Sequence, residues 1–294
     1  MIYSKPYDAP IARALSRYER RVPPTLAWYF SIMLFYLTAI RQLKFSALLL
    51  LVLICAVVIP TYAALPKAFS ATYSIHAKGA KVAEMQRQLT PQADGQLLFE
   101  SKTRTTGLIS LFKRIRVVEQ SRASVHEGSL RPLHYHYHRQ HGDNKTVVTV
   151  EFDWEKGRIA NTASDHTWHL GTIPGILDKM LYHIILMHDL ASGARDIEYQ
   201  IADGGKIKRY RFEVLAEETL DTRLGELETL KLRHVRSDSK REQTFWCAPA
   251  LHFLPVRVES QEKDGSITTA NIREFSGWES LKVGKALKIG TGHL

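Results

Sequence analysis

Cysteine is nearly absent from this chain: Cys55 and Cys247 are the two in 294 residues. That excludes a small domain framed by disulfides. If the apolar segment around Cys55 is cut away, Cys247 stands alone and no internal disulfide can form. Its setting, Phe245-Trp-Cys-Ala-Pro249, is apolar and reads as a buried, inert thiol. Catalytic signatures are missing as well. No Gly-x-Ser-x-Gly elbow is present, and no glycine-rich phosphate loop precedes a helix. A Ser–His–Asp set assembled in space stays open, because all three residue types are plentiful. There is no low-complexity segment and no fixed-period repeat. Blocks of one charge are missing too. The net charge is +10, but residues 1–63 carry 7 Lys/Arg against 2 Asp/Glu and the rest 33 against 28, well mixed. This is no nucleic-acid footprint, and it is compatible with work near anionic lipid.

Long apolar runs are also lacking. Residues 26–40 and 45–59 are the strongest, and each falls short of the roughly 20 apolar residues a spanning helix needs. The second run follows Arg41 and Lys44 and closes on Pro60-Thr-Tyr-Ala63. Basic residues, an apolar stretch and small residues two apart are the anatomy of a secretory signal, cut after Ala63. Some 40 residues ahead of the basic region are unusual for a signal, and a start at Met33 would give an ordinary one. Ile54 before Cys55 is too large for a lipoprotein site. The reading that follows is a periplasmic protein. One alternative leaves the segment uncut, as an inner-membrane anchor facing the periplasm, which would be the only membrane contact. Another is a buried hydrophobic helix. The expected organisation is an N-terminal extension plus signal over 1–63, one β-rich domain over 64–278, and a basic tail over 279–294.

Past residue 64 the dominant pattern is period-two alternation. Strands are expected over 69–76, 82–89, 96–103, 113–120, 133–139 and 146–154, then more weakly over 158–161 and 166–170. Turn-forming sets separate them, such as Lys78-Gly-Ala-Lys81 and His141-Gly-Asp-Asn144. Residues 106–112 read as an apolar loop or short helical turn. One segment, 173–190, has helical spacing: Leu177, Met180, Leu181, Ile184, Ile185 and His188 recur at i, i+3, i+4. Pro174 suits its first turn and Ala191-Ser-Gly193 its stop. Strands resume over 197–201, 206–215, 222–235, 241–246, 254–260 and 267–275, with Asp203-Gly-Gly205 and Lys263-Asp-Gly-Ser266 as hairpin turns. The fold class is mainly β: a large antiparallel curved sheet or barrel-like meander packed around one long helix. A half-barrel of this kind has an apolar inside and a natural cleft.

The ordered series Arg131-Pro-Leu133 with Tyr135, Val150-Glu-Phe-Asp-Trp154 with Gly157, Asp178 with Leu181, Leu220-Asp-Thr-Arg-Leu-Gly-Glu-Leu-Glu-Thr-Leu230, then Phe245-Trp-Cys-Ala-Pro249 and Leu254-Pro-Val-Arg-Val-Glu259 resembles the bacterial domain of unknown function 3108 family. The likeness covers most of residues 66–275. It implies an exported, β-rich protein, and it carries no assigned chemistry or catalytic residues.

The run His134-Tyr-His-Tyr-His138 is the most conspicuous candidate site. On a strand, His134, His136 and His138 share one face about 6.5–7 Å apart, so two could hold one zinc with a ligand from the next strand. Glu151 and Asp153 are the nearest carboxylates to offer it. The opposing reading is a wet outer face with Tyr135 and Tyr137 packing inward, which the family resemblance favours. His183, His188, Asp178 and Asp189 read as polar residues on the helix surface; His183 and His188, five apart, do not share a face. Trp154, Trp168, Trp246 and Trp278 read as core or rim residues rather than a sugar platform. No catalytic, cofactor-binding or metal residue is therefore assigned, and no cofactor. The functional reading is a non-enzymatic, exported envelope module that binds a hydrophobic or amphipathic ligand, or an envelope partner protein, on the concave face beside helix 174–190. The alternative is an envelope hydrolase, metal-dependent through His134, His136 and His138. A third is a purely structural scaffold.

Overall fold

Fourteen strands alternate along the computed structural model, which describes residues 67–277 apart from 108, 113, 237–241 and 263. The described residues fall in the second of the chain's two units, Tyr62–Leu294. The apolar runs, the expected cut after Ala63, Trp278 and the basic tail lie outside them. The first eight strands are β1 (Phe69–Ala77), β2 (Ala80–Pro91), β3 (Leu97–Thr105), β4 (Ile115–His126), β5 (Ser129–His141), β6 (Asn144–Asp153), β7 (Arg158–Ala163) and β8 (His166–Gly171). The other six are β9 (Asp196–Asp203), β10 (Lys206–Thr222), β11 (Gly225–Arg236), β12 (Gln243–Ala248), β13 (Leu254–Gln261) and β14 (Ile267–Gly277). A four-residue helix, α1 (Ile109–Phe112), joins β3 to β4, and α2 (Leu181–Ala191) lies between β8 and β9.

All fourteen strands form one antiparallel sheet in the order β8-β7-β6-β5-β4-β3-β2-β1-β14-β13-β12-β11-β10-β9. Two meanders, β1–β8 and β9–β14, are joined where β1 pairs with β14. The sheet is curved but not closed; β8 and β9 are its edges. Register breaks at Thr72/Tyr73, Ile75/His76, Arg122/Ala123, Val214/Ala216 and Trp246/Cys247 supply bulges. Each adds local twist and bends the strand, which is how a sheet this wide can wrap a core. Tight hairpins need positive φ at both central residues, and Lys78 (51°) with Gly79 (79°) supplies it between β1 and β2.

The alternation expected from sequence is the one observed. Tyr73, Phe99, Tyr135, Val150 and Ile159 point into the concave side of one half, and Tyr210, Phe212, Leu232 and Phe245 into the other. Helix α2 fills the concavity. Leu181, Tyr182, Ile184, Leu186, Met187 and Leu190 are all buried. A helix apolar over most of its circumference persists where most of it is enclosed. Each large apolar side chain so buried contributes about 1.5–3 kcal/mol.

Two elements differ from expectation. Strand β10 runs on to Thr222, past the expected end at 215, so the β10–β11 turn falls at 223–224, inside the strand expected over 222–235; the register break at Val214/Ala216 interrupts the alternation that would have carried it. The helical spacing predicts a helix from 174, but α2 begins at Leu181. Leu177 uses its backbone on the edge of β9 instead, donating to the Gln200 carbonyl (2.9 Å) and accepting from the Ala202 N–H (2.9 Å). Asp178 then caps the helix, its Oδ1 accepting from the N–H groups of Met180 (2.7 Å) and Leu181 (2.8 Å). An open sheet edge and a helix start compete for the same segment, and the edge takes Leu177. The predicted stop holds, with the Ser192 N–H donating to the His188 carbonyl at 3.0 Å.

Candidate functional site

The inward rows of β1, β2, β4 and β10–β14, with the start of α2, leave a cleft of about 310 Å³ on the concave side. Its apolar wall includes Phe245, Val258 and Ala270, brought side by side by the register β12–β13–β14, and Met85 from β2. Its polar side holds Arg87, Glu119, Lys179, His183 and Gln243. A larger hollow of about 520 Å³ is lined mainly by outward-facing Glu84, Lys102, Arg104 and Arg116. Ion pairs of exposed side chains cross that outer face, such as Arg104 to Glu84 at 3.2 Å, so it is wet surface rather than an enclosed site.

The polar groups of the cleft are not equivalent. Glu119 accepts the Tyr135 hydroxyl at 2.7 Å, and burial together with this carboxylate holds that phenol far above its ordinary range. Lys179 lies 3.6 Å from Asp203. His183 is 7% exposed; its Nδ1–H donates to the Met180 carbonyl (3.1 Å), and its ring lies 4.0 Å from that of Tyr182. Burial, then the charge of Arg87, pushes its pKa well below the usual histidine value, so it is a neutral imidazole. His234 donates to Gln243 Oε1 (2.9 Å) and stacks on Phe212 at 4.3 Å; Gln243 in turn donates to Ser260 (2.9 Å). Arg87 is different. Its guanidinium lies 6.0 Å from the Tyr73 ring centre, while its Nε is buried with no hydrogen-bond partner among the described residues.

Below the cleft, Asp178 is fully buried. Ser121 donates to its Oδ2 at 2.6 Å, across 57 residues of sequence. Burial pushes this carboxyl up to about 6, against the pull of the three hydrogen bonds it accepts. The pair ties β4 to the start of α2. The hydroxyl of Ser121 is thus given to a carboxylate rather than to an imidazole, and Ser121 itself is buried. Asp178 and His183 are therefore core residues, which corrects the expectation that they lie on the helix surface. His188 and Asp189 are partly exposed as expected, with Tyr199 donating to Asp189 at 2.7 Å.

The histidine run sits on β5 with Tyr135 inside and His134, His136 and His138 on the outer face. Glu151 is directly opposite His134, with Nε2 and Oε1 at 3.1 Å. His136 faces Gln120 and Thr149, and its ring lies 6.3 Å from that of His134. Asp153 accepts the Lys156 N–H at 2.9 Å in the following turn. Among the described residues no three His, Cys, Asp or Glu side chains come together as a metal site.

The family model described as "Protein of unknown function (DUF3108)" matches residues 72–271. The chain belongs to this family. The resemblance read from sequence is thereby shown. Asp178 is the helix cap. Trp154 donates to the Pro132 carbonyl (2.8 Å), Trp246 to Glu218 (2.9 Å), and Tyr73 to the Pro255 carbonyl (2.9 Å). These contacts hold strands and helix together. No curated protein matches the chain. Among solved structures, a β-barrel-like protein of domain of unknown function DUF1849 from Brucella abortus aligns at 9% identity. It covers 72% of this chain and 98% of its own, with a TM-score of 0.48. A candidate lipoprotein of Parabacteroides distasonis aligns at 11% identity over 73% and 98% of the two chains, TM-score 0.29. A candidate exported protein of Bacteroides fragilis aligns at 10% over 74% and 99%, TM-score 0.31.

Arg87 and Glu119 carry no motif, and sequence reasoning alone misses both. The available signal was a charged residue at an inward position of an alternating strand: Arg87 shares its row with Met85 and Leu89, and Glu119 with Val117 and Ser121.

Proposed function

We propose that the chain is an exported envelope module that binds an amphipathic molecule in the concave cleft beside α2, without catalysing a reaction on it. The observation that carries the reading is the cleft itself: about 310 Å³, with an apolar wall and, among its polar lining, Arg87, whose buried Nε has no hydrogen-bond partner among the described residues. Ligand sites combine such walls with a few polar groups that fix orientation. An acyl chain along Met85, Val258 and Ala270 would place an anionic head at Arg87, where a charge-assisted hydrogen bond is strongest. Lys44 through Ala63 supports export, with the periplasm as the compartment. An uncut segment would hold the same domain at the inner membrane.

The test is a calorimetric titration of the full chain with dodecanoate below its micellar concentration. One saturable site is expected, lost in Ala270→Phe, whose ring would fill the apolar end of the cleft. No binding, or binding that Ala270→Phe leaves unchanged while its fold is intact, contradicts the reading.

A further inference from the structure

The outer face of the sheet carries a second site. A hollow of about 300 Å³ lies where the tip of the β10–β11 hairpin, residues 220–223, meets β1, β13 and β14. Register puts Ser74, Asn271 and Arg257 in one row across β1, β14 and β13, with His76 two residues further along β1. These side chains alternate with Tyr73 and Ile75, so they belong to the face opposite the cleft. Two bulges border the hollow. Thr72 pairs with Glu274 and Tyr73 with Ile272, which leaves Arg273 as the extra residue of β14; likewise Val256 is the extra residue of β13 between Pro255 and Arg257. Bulges re-aim side chains and recur beside functional sites.

Three residues that line this hollow each carry a buried polar atom without a hydrogen-bond partner among the described residues: Ser74 Oγ, His76 Nδ1 and Arg257 Nε. A buried polar group without a partner costs its desolvation, so three beside one hollow are a persistent penalty. Three arginines stand around them: Arg257, Arg273 and, from the hairpin tip, Arg223. Arg257 also pairs with Glu259 and lies 5.1 Å from the Trp246 ring centre, so its guanidinium is held in place. Asp221, exposed, is the one carboxylate on the lining.

We infer that this hollow is an oxyanion site for a phosphomonoester carried on a small polar body. A phosphomonoester offers three strong acceptor oxygens and close to two negative charges, and guanidinium forks match that geometry. A carboxylate would leave donors unused. The volume is roughly that of ten waters, more than a bare phosphate fills, and the lining is polar. The same chemistry is presented by a free phosphorylated metabolite and by a phosphorylated lipid head.

The full chain is titrated with glycerol 3-phosphate, glycerol and inorganic phosphate. Glycerol 3-phosphate is expected to bind with a Kd below about 1 mM, glycerol not at all. Arg223→Gln and Arg273→Gln, both at exposed positions, are each expected to weaken it at least tenfold, with Arg273→Lys recovering part. Asp221→Asn is expected to tighten it. No binding, binding that neither arginine variant changes, or binding abolished by Asp221→Asn overturns the proposal. Inorganic phosphate alone binding as tightly as the ester removes the polar body from it. Sedimentation with phosphatidylcholine vesicles, with and without phosphatidate, identifies the source. Phosphatidate-dependent capture that glycerol 3-phosphate competes away, and that both arginine variants lose, assigns a lipid head. Ester binding without such capture assigns a free metabolite.

Discussion

Trp168 and Gly205 touch across the open seam of the sheet. A β-carbon placed on Gly205 would come to 2.5 Å from Cγ of Trp168. Trp168 is on β8, Gly205 is in the turn between β9 and β10, and these are the two ends of a fourteen-strand order. The edges thus meet through a side chain rather than a ladder. The Leu177 bridge to Ile201 covers part of the same opening.

Gly205 has φ of 71°, so alanine there meets both a backbone penalty and the indole. Gly205→Ala is expected to lower stability by about 1–3 kcal/mol in chemical denaturation. In a Trp168→Ala background the same change should cost less, because the steric part is gone. Equal costs in the two backgrounds would show that the edges do not meet this way in solution.

Asp178 gives the fold a pH signature. Its carboxyl is raised from 3.8 to about 6 by burial, so between those values the folded state binds more proton than the unfolded one. Its contribution to stability is fully present below about pH 4 and is lost as pH rises toward 6, by at most about 1.4 kcal/mol for each pH unit crossed. Asp178→Asn cannot titrate. Denaturation midpoints across pH 4–7 should show the variant gaining on the wild type with rising pH. Parallel curves would mean that the carboxyl is not raised.

Arg87 is expected to read the head of the cleft's ligand. Arg87→Gln should weaken dodecanoate at least tenfold, about 1.4 kcal/mol, while leaving dodecanol unchanged. Equal loss for both would assign Arg87 a role in shape rather than charge.

The histidine run is expected to be dispensable. Replacing His134, His136 and His138 with alanine breaks one exposed contact to Glu151 and should cost about 1 kcal/mol or less in all. Purified wild type should carry far less than an equivalent of zinc. A full equivalent, lost in the triple variant, would restore the metal reading.

Much of the fold is legible in the sequence because one rule generates it. Period-two alternation marks most strands, more weakly the short β7 and β8, and Gly-containing turns mark most hairpins, though not Ser164-Asp165 between β7 and β8. Local pattern fails where distant residues decide. Nothing local says that Leu177 pairs with Ile201, so helical spacing starts the helix seven residues early. Asp178 reads as a surface carboxylate until Ser121, 57 residues away, is placed on it. His183 follows the same logic, buried by a sheet whose curvature depends on bulges that have no sequence mark. Neither site announces itself locally, because each collects single residues from several strands.

The most direct test of a ligand in the cleft is native mass spectrometry of the full-length gene product taken from cells without detergent. A noncovalent adduct of an anionic amphiphile is expected on the wild type, reduced in Arg87→Gln and absent from folded Ala270→Phe. A bare wild-type chain, or the same adduct on all three, would contradict a ligand-binding cleft.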